Sequence, residues 1–314
     1  MFQGIKNGTG LIKESIKTFG KYPSLIIPLL VCWAIYAPMI VHLKFFFPWD
    51  NYSTGQQLAV VFFVILIFSF ILSISCLILL ELIQQIETGE NLNIFTATFS
   101  SIPNIVKSLP VTVAWAVIWF VISVIEMLLR RRSDDDDEDM DFNAENAAKT
   151  VAGFEEFSLS AAFFEALRKG VRMIAFLIYP AIAWEKNGFS KSVIKGLAVA
   201  KTHKTEFIAG FVLTDLAAAL VFLPPAILFI LSGKFDVEFP DGVWFITIIY
   251  CGFAWSFSMF LEQMFTAELY LWHLLWEKDC ELAKNNGNEL PKLEEVKRPS
   301  IMDSTPDLAN AIER

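Results

Sequence analysis

Residues 58–80 are almost entirely Val, Ile, Leu and Phe and carry no charged side chain. Wound as a helix at about 1.5 Å per residue, such a run matches the roughly 30 Å hydrocarbon thickness of a bilayer. In that medium a segment must pair its own backbone N–H and C=O groups, which a helix does. Comparable runs lie at residues 25–47, 109–129 and 207–231, and from Val243 through Leu261 towards Trp276. Of 314 residues, 55% are hydrophobic, 30 are Phe and only 19% are charged, more apolar surface than an ordinary soluble fold can bury. The solvent for most of this chain is therefore lipid.

One further run, 173–184, is continuously apolar for only twelve residues. It is expected to cross with help from its neighbours, Arg168, Lys169 and Arg172 snorkelling at one end and Lys186 at the other. The fold class that follows is all-α: a polytopic transmembrane bundle of about six spans with interfacial amphipathic helices on the cytoplasmic side. In order along the chain, the reading is a cytoplasmic amphipathic segment at 1–24 and three spans within 25–130. An acidic, disordered loop at 131–156 precedes three more spans within 157–277. The last group includes an amphipathic helix at 189–206, and a polar, disordered tail occupies 278–314. The start of the chain is polar for some twenty residues without a small-residue cleavage site, so the first apolar run is expected to stay as an anchor.

Lys and Arg near span ends set orientation. Lys6, Lys13, Lys17 and Lys21 precede the first span, and Lys186, Lys191, Lys195, Lys201 and Lys204 precede the fifth; the turn at 49–57 has none. With six spans these basic segments share one face, which puts both termini in the cytoplasm of a cell-membrane protein. Arg130, Arg131 and Arg132 run against this, because alternation places them outside. A faint threefold pattern repeats Glu after an aliphatic or aromatic residue at Glu87, Glu185 and Glu277. Amphipathic stretches before the odd-numbered spans complete it as three hairpins, each led by a helix lying on the inner interface.

The net charge of -9 is concentrated in Asp134 to Asp137, Glu138, Asp139 and Asp141, which read as a solvated loop without the spacing or Gly of a calcium-binding hand. Cys32, Cys76, Cys251 and Cys280 are scattered as single small hydrophobes. There is no phosphate-binding glycine loop, zinc motif or nucleophile elbow. No cofactor, metal or nucleic-acid partner is expected, and no catalytic residue. His42, His203 and His273 fall near different span ends and are expected to lie apart.

A charge placed in hydrocarbon costs about 2.5–3.5 kcal/mol on insertion scales, so an ionisable group inside a span needs a reason. Asp215, about eight residues into the fifth span and ahead of the helix-breaking pair Pro224–Pro225, is the principal candidate. With Glu81, Glu262 and Glu268 it forms a possible intramembrane polar site responsive to protons or cations. The plainer reading is that Asp215 bonds a neighbouring helix and fixes packing.

From Pro180 to Thr214 the chain reads PAIAWEKNGFSKSVIKGLAVAKTHKTEFIAGFVLT. Pro180, Glu185, Gly188, Ser192 and Gly210 in that stretch, with GENLNIFTATF, Trp115 and Glu126, resemble a family of prokaryotic six-helix membrane proteins known only as a domain of unknown function. The resemblance implies an architecture and no activity. Two departures are a longer acidic loop and His203-Lys204-Thr205 where the family has Trp-Gly. The function expected is non-enzymatic: organising or sensing the bilayer, or an accessory role, with anionic headgroups meeting the basic segments. The alternatives are a small transporter or channel built on Asp215 and, further off, an intramembrane lipid-modifying enzyme using Asp215, Glu262 and His273.

Overall fold

The computed structural model describes residues 2–130, 143–153, 159–235 and 237–300. Among these the chain is all-α, with nine α-helices and no strand: α1 (Phe2–Lys21), α2 (Ile27–Phe45), α3 (Thr54–Glu87), α4 (Ile94–Arg130), α5 (Ala144–Ala152), α6 (Leu159–Ala183), α7 (Phe189–Thr202), α8 (Lys204–Phe235) and α9 (Asp241–Asn285). Five segments are long and apolar enough to cross a membrane: Pro23–Phe45, Thr54–Glu87, Ile94–Leu129, Lys204–Phe235 and Asp241–Asn285.

Local chemistry sets the helix ends. The Ser53 backbone N–H donates to Gln56 Oε1 (2.9 Å) at the start of α3, and Gly89, at φ +74°, lets the chain leave its far end. Gln85 then grips the connection, its Oε1 accepting from the Asn93 backbone N–H (2.9 Å), and Asn93 Oδ1 caps α4 by accepting from Thr96 N–H (3.1 Å). The acidic run 134–141 lies outside the described residues. Its C-terminal neighbour α5, within the stretch expected to be a disordered loop, is helical. It is capped by Asn143, ended by Gly153 at φ +65° and joined to α8 by Ser232 Oγ donating to Glu145 (2.5 Å).

α6 is not among the five long apolar helices, because Arg168, Lys169 and Arg172 stand inside it rather than beyond its end. Its residues 173–184 are buried almost throughout, enclosed by the other helices rather than by solvent or lipid. It runs antiparallel to α4. Lys107 reaches the Lys186 carbonyl (3.4 Å) near one end, and Glu126 meets Arg168 near the other. The 19 residue steps of α4 from Lys107 to Glu126 rise roughly 28 Å. Between these points Tyr179 and Thr112 both bond Ser73 of α3, tying three helices at one level.

The amphipathic stretches of α1 and α7 use their inward faces for helix packing. On α1, Gly4, Gly8, Leu11, Ser15 and Thr18 form one buried face. A Cβ at Gly4 would lie 2.8 Å from Thr205 Cβ, and one at Gly8 3.0 Å from Ala209 Cβ, so the small residues bring α1 and α8 backbones together. On α7, Ser192, Gly196 and Val199 are buried, with Gly196 against Ile178 of α6. The lysines of α1 remain exposed on its other side.

Beyond α9 the chain turns at Gly287 and folds back. The indole N–H groups of Trp276 and Trp272 donate to the carbonyls of Pro291 (2.8 Å) and Val296 (3.2 Å), Leu293 and Val296 are buried, and Ser300 donates to Glu14 of α1 (2.5 Å). The segment expected as a free tail is thus anchored through residue 300, and it touches the N-terminal helix.

Candidate functional site

Residues 168, 169 and 172 fall within about one turn of α6, and their long side chains reach three different helices. Arg168 points to α4, where its guanidinium donates to Glu126, while its backbone carbonyl accepts from the Trp119 indole (3.3 Å). Arg172 points to α9 and grips Glu262 with two parallel bonds, Nε to Oε2 (2.7 Å) and Nη2 to Oε1 (2.9 Å), the fork geometry that suits Arg to carboxylates. Lys169 points to α8. Its ammonium donates to Asp215 Oδ1, Thr214 Oγ1 (2.9 Å) and the Phe211 carbonyl (2.9 Å), and Glu262 Oε1 lies 3.6 Å away.

The result is a layer of three cations and three carboxylates, drawn from α4, α6, α8 and α9, whose formal charges cancel. Lys169 is only 4% exposed, and all three of its N–H donors are engaged. Thr214, which accepts from Lys169, donates its own O–H to the Gly210 carbonyl (2.8 Å). Asp215 differs from the rest, since its side chain is 56% exposed beside the outward-facing Ile208, Val212 and Leu216. Ion pairing of this kind offsets the desolvation of each charge only when the geometry and the remaining hydrogen bonds are complete. Around Lys169 they are, and Arg172 holds both oxygens of Glu262.

Of the four residues singled out in the sequence, Asp215 and Glu262 are brought together, with Lys169 between them. Glu268 sits elsewhere on α9, buried, with Ser15 of α1 donating to it (3.3 Å). Glu81 is partly buried on α3 and joins neither group. The three basic residues of α6 do not snorkel as expected: an internal carboxylate lies within reach of each, and pairing satisfies their donors without stretching to an interface.

A second cluster joins α7 and the α6–α7 turn to α9. His203 Nε2 and His273 Nδ1 lie 2.8 Å apart, both rings buried, so two of the three histidines expected to lie apart share a hydrogen bond. His273 Nε2 is 3.2 Å from Glu277, which pairs with Lys195 (3.0 Å). Lys195 also reaches Glu185 (2.9 Å), and Tyr270 donates to the other oxygen of Glu185. Burial, and then the neighbouring His273, hold the His203 imidazole well below its ordinary range, at about 4, so His203 is neutral at pH 7. Glu185 and Glu277 were visible in the sequence as repeat positions. The lysine that bridges them and the histidine pair beside them were not, because partners 70 residues apart leave no periodic trace.

Among the described residues no group of three or more His, Cys, Asp or Glu side chains is arranged to hold a metal ion. Comparison with family models, with curated proteins and with solved structures returned no match to this chain.

Proposed function

We propose that this chain is a six-crossing protein of the cell membrane, both termini cytoplasmic, whose role is non-enzymatic: organising or sensing the bilayer, or acting as an accessory to other membrane proteins. The observation that carries this reading is the pairing of Asp215, Glu262 and Glu126 with Lys169, Arg172 and Arg168. A carboxylate that binds a transported cation, or that activates water, needs an oxygen available to it; Arg172 takes both oxygens of Glu262, while Lys169 and Arg168 each take one oxygen of Asp215 and of Glu126.

Parity supports the sixth crossing. Five spans would leave the ends of the chain on opposite faces, yet Ser300 bonds Glu14 and the Arg298 guanidinium packs against Gly10. Counting α6, which runs beside α4 for most of a bilayer's thickness, restores an even number. The exposed Lys6, Lys13, Lys17 and Lys21 of α1 and Lys191 and Lys201 of α7 suit anionic headgroups, each basic residue near such a surface contributing about 1 kcal/mol. The resemblance to prokaryotic six-helix membrane proteins implies six crossings and adds no activity.

The exposure of Asp215 favours a second reading, a small transporter or channel. Proteoliposome flux separates the two. With proton, sodium and potassium gradients imposed in turn, the first reading predicts fluxes equal to those of protein-free vesicles. A saturable flux that disappears in Asp215→Asn would overturn it in favour of transport.

A further inference from the structure

The first half of α4, residues 94–109, presents three distinct faces. Ala97, Ser101, Asn104 and Ser108, at helical spacing, are buried against the bundle. On the opposite side Phe95 (79% exposed), Phe99 (70%), Ile102 and Val106 form an uncovered apolar stripe. Between them lie Thr96, Ser100, Pro103 and Lys107, all exposed. The apolar stripe does not end where the span begins. It continues through Leu109, Val113, Val117, Val121, Ile125 and Leu128, all exposed along the same helix.

Length decides what this continuity means. α4 has 37 residues, a rise of roughly 55 Å, whereas a hydrocarbon core is about 30 Å thick. Its lipid-facing stripe therefore outruns a perpendicular crossing by several turns, and those turns carry the most exposed phenylalanines of the helix. The extra length meets lipid where it lies along the membrane interface, and Pro103 and Pro110, each of which removes a backbone donor inside α4, are the places at which the helix can turn there.

Its composition differs from that of α1 and α7, which present lysines. Lys107 is the only charged residue in 94–109, and its ammonium is turned to the Lys186 carbonyl (3.4 Å). The polar strip is otherwise hydroxyls and a proline. A surface helix with large apolar groups and almost no cations gains little from anionic headgroups. It is held by inserting side chains between lipids, which is easiest where the leaflet is loosely packed or strongly curved.

We propose that residues 94–109 of α4 are a lipid-packing sensor, inserting Phe95, Phe99, Ile102 and Val106 among the acyl chains of the cytoplasmic leaflet where packing defects expose them. This rests on the non-enzymatic, bilayer-directed reading above and gives it a ligand: defects in a leaflet, rather than a headgroup charge.

The test uses the full-length labelled protein, inserted with its lysine-rich side outward into giant phosphatidylcholine vesicles from which membrane tubes are pulled. The density of protein on the tube relative to the flat vesicle should rise roughly threefold as the tube narrows, and should be unchanged by salt or by added anionic lipid. Phe95→Ser with Phe99→Ser should bring the ratio to one. Both side chains stand clear of the core, so the variant should remain monodisperse in detergent. Thr96→Lys with Ser100→Lys, which keeps the stripe, should make the ratio respond to anionic lipid. A wild-type ratio near one at every radius, or a ratio unaffected by the serine pair, would overturn the proposal. So would loss of sorting accompanied by conversion of a dimer to a monomer, which would make the stripe a seam between two copies. Because sorting is read without gradients, flux in the earlier assay with sorting intact would defeat only the broader reading.

Discussion

Lys169 has three donors and finds three acceptors on α8, with a second carboxylate 3.6 Å away on α9. It is a buried cation with every donor satisfied. His203 presents the opposite case, a titratable ring kept neutral. Its folded-state value of about 4 lies below the ordinary 6.5, so between those limits the unfolded chain binds a proton that the folded one does not. Stability is accordingly full above pH 6.5 and is lost as pH falls towards 4, by roughly 3 kcal/mol at most. Thermal unfolding in detergent should show the midpoint falling on acidification from pH 7 to pH 4.5, and His203→Gln should flatten that slope. An identical pH profile in the variant would remove His203 from the account. At this scale the sequence disclosed Asp215, because a carboxylate in an apolar run stands out by its cost in hydrocarbon. It hid Lys169, because a basic residue flanking a short apolar stretch reads equally well as an interfacial anchor, and Asp215 is 46 residues away.

Helix identity and amphipathic period were legible element by element, since both follow from side-chain spacing along one segment. What covers each amphipathic face was not, because that depends on a partner helix. α1 has the pattern of an interfacial helix, yet Gly4 and Gly8 place its inner face on α8, and Leu11 and Ser15 are buried in the bundle. The same close approach governs α8 against α9, where a Cβ at Gly210 would fall 2.0 Å from Phe265 Cζ, a ring that is itself fully buried and has nowhere to move. Gly210→Val should therefore cost roughly 3 kcal/mol or more through overpacking, read as a lowered unfolding midpoint in detergent, and Phe265→Leu in the same chain should recover part of it. A Gly210→Val protein as stable as wild type would mean that α8 and α9 do not meet in this register. α6 illustrates the limit of hydropathy most plainly. Twelve apolar residues and three charges do not reveal a helix that runs beside α4 from Lys107 to Glu126, because the charges are neutralised by Glu126, Asp215 and Glu262 on other segments.

For the whole molecule, long apolar runs made the solvent unmistakable, and five helices are apolar enough to cross a membrane. The contact between the C-terminal segment and α1 was invisible in a stretch of Pro, Glu and Lys that reads as a solvated tail; two indole N–H groups and a few buried side chains hold it in place. The central claim is that the intramembrane charges hold helices together rather than bind a substrate, and the pair Asp215–Lys169 tests it most directly. Asp215→Asn leaves Lys169 buried with its charge only partly answered. It should lower stability by about 2 kcal/mol, less than for a fully enclosed pair because Asp215 is partly exposed. Adding Lys169→Met removes the orphaned cation and should return the unfolding midpoint to within about 1 kcal/mol of wild type. The measurement is a double-mutant cycle of thermal unfolding in detergent. Loss in the single variant and recovery in the double is the predicted result; an Asp215→Asn protein of unchanged stability, with no coupling to Lys169→Met, would contradict it.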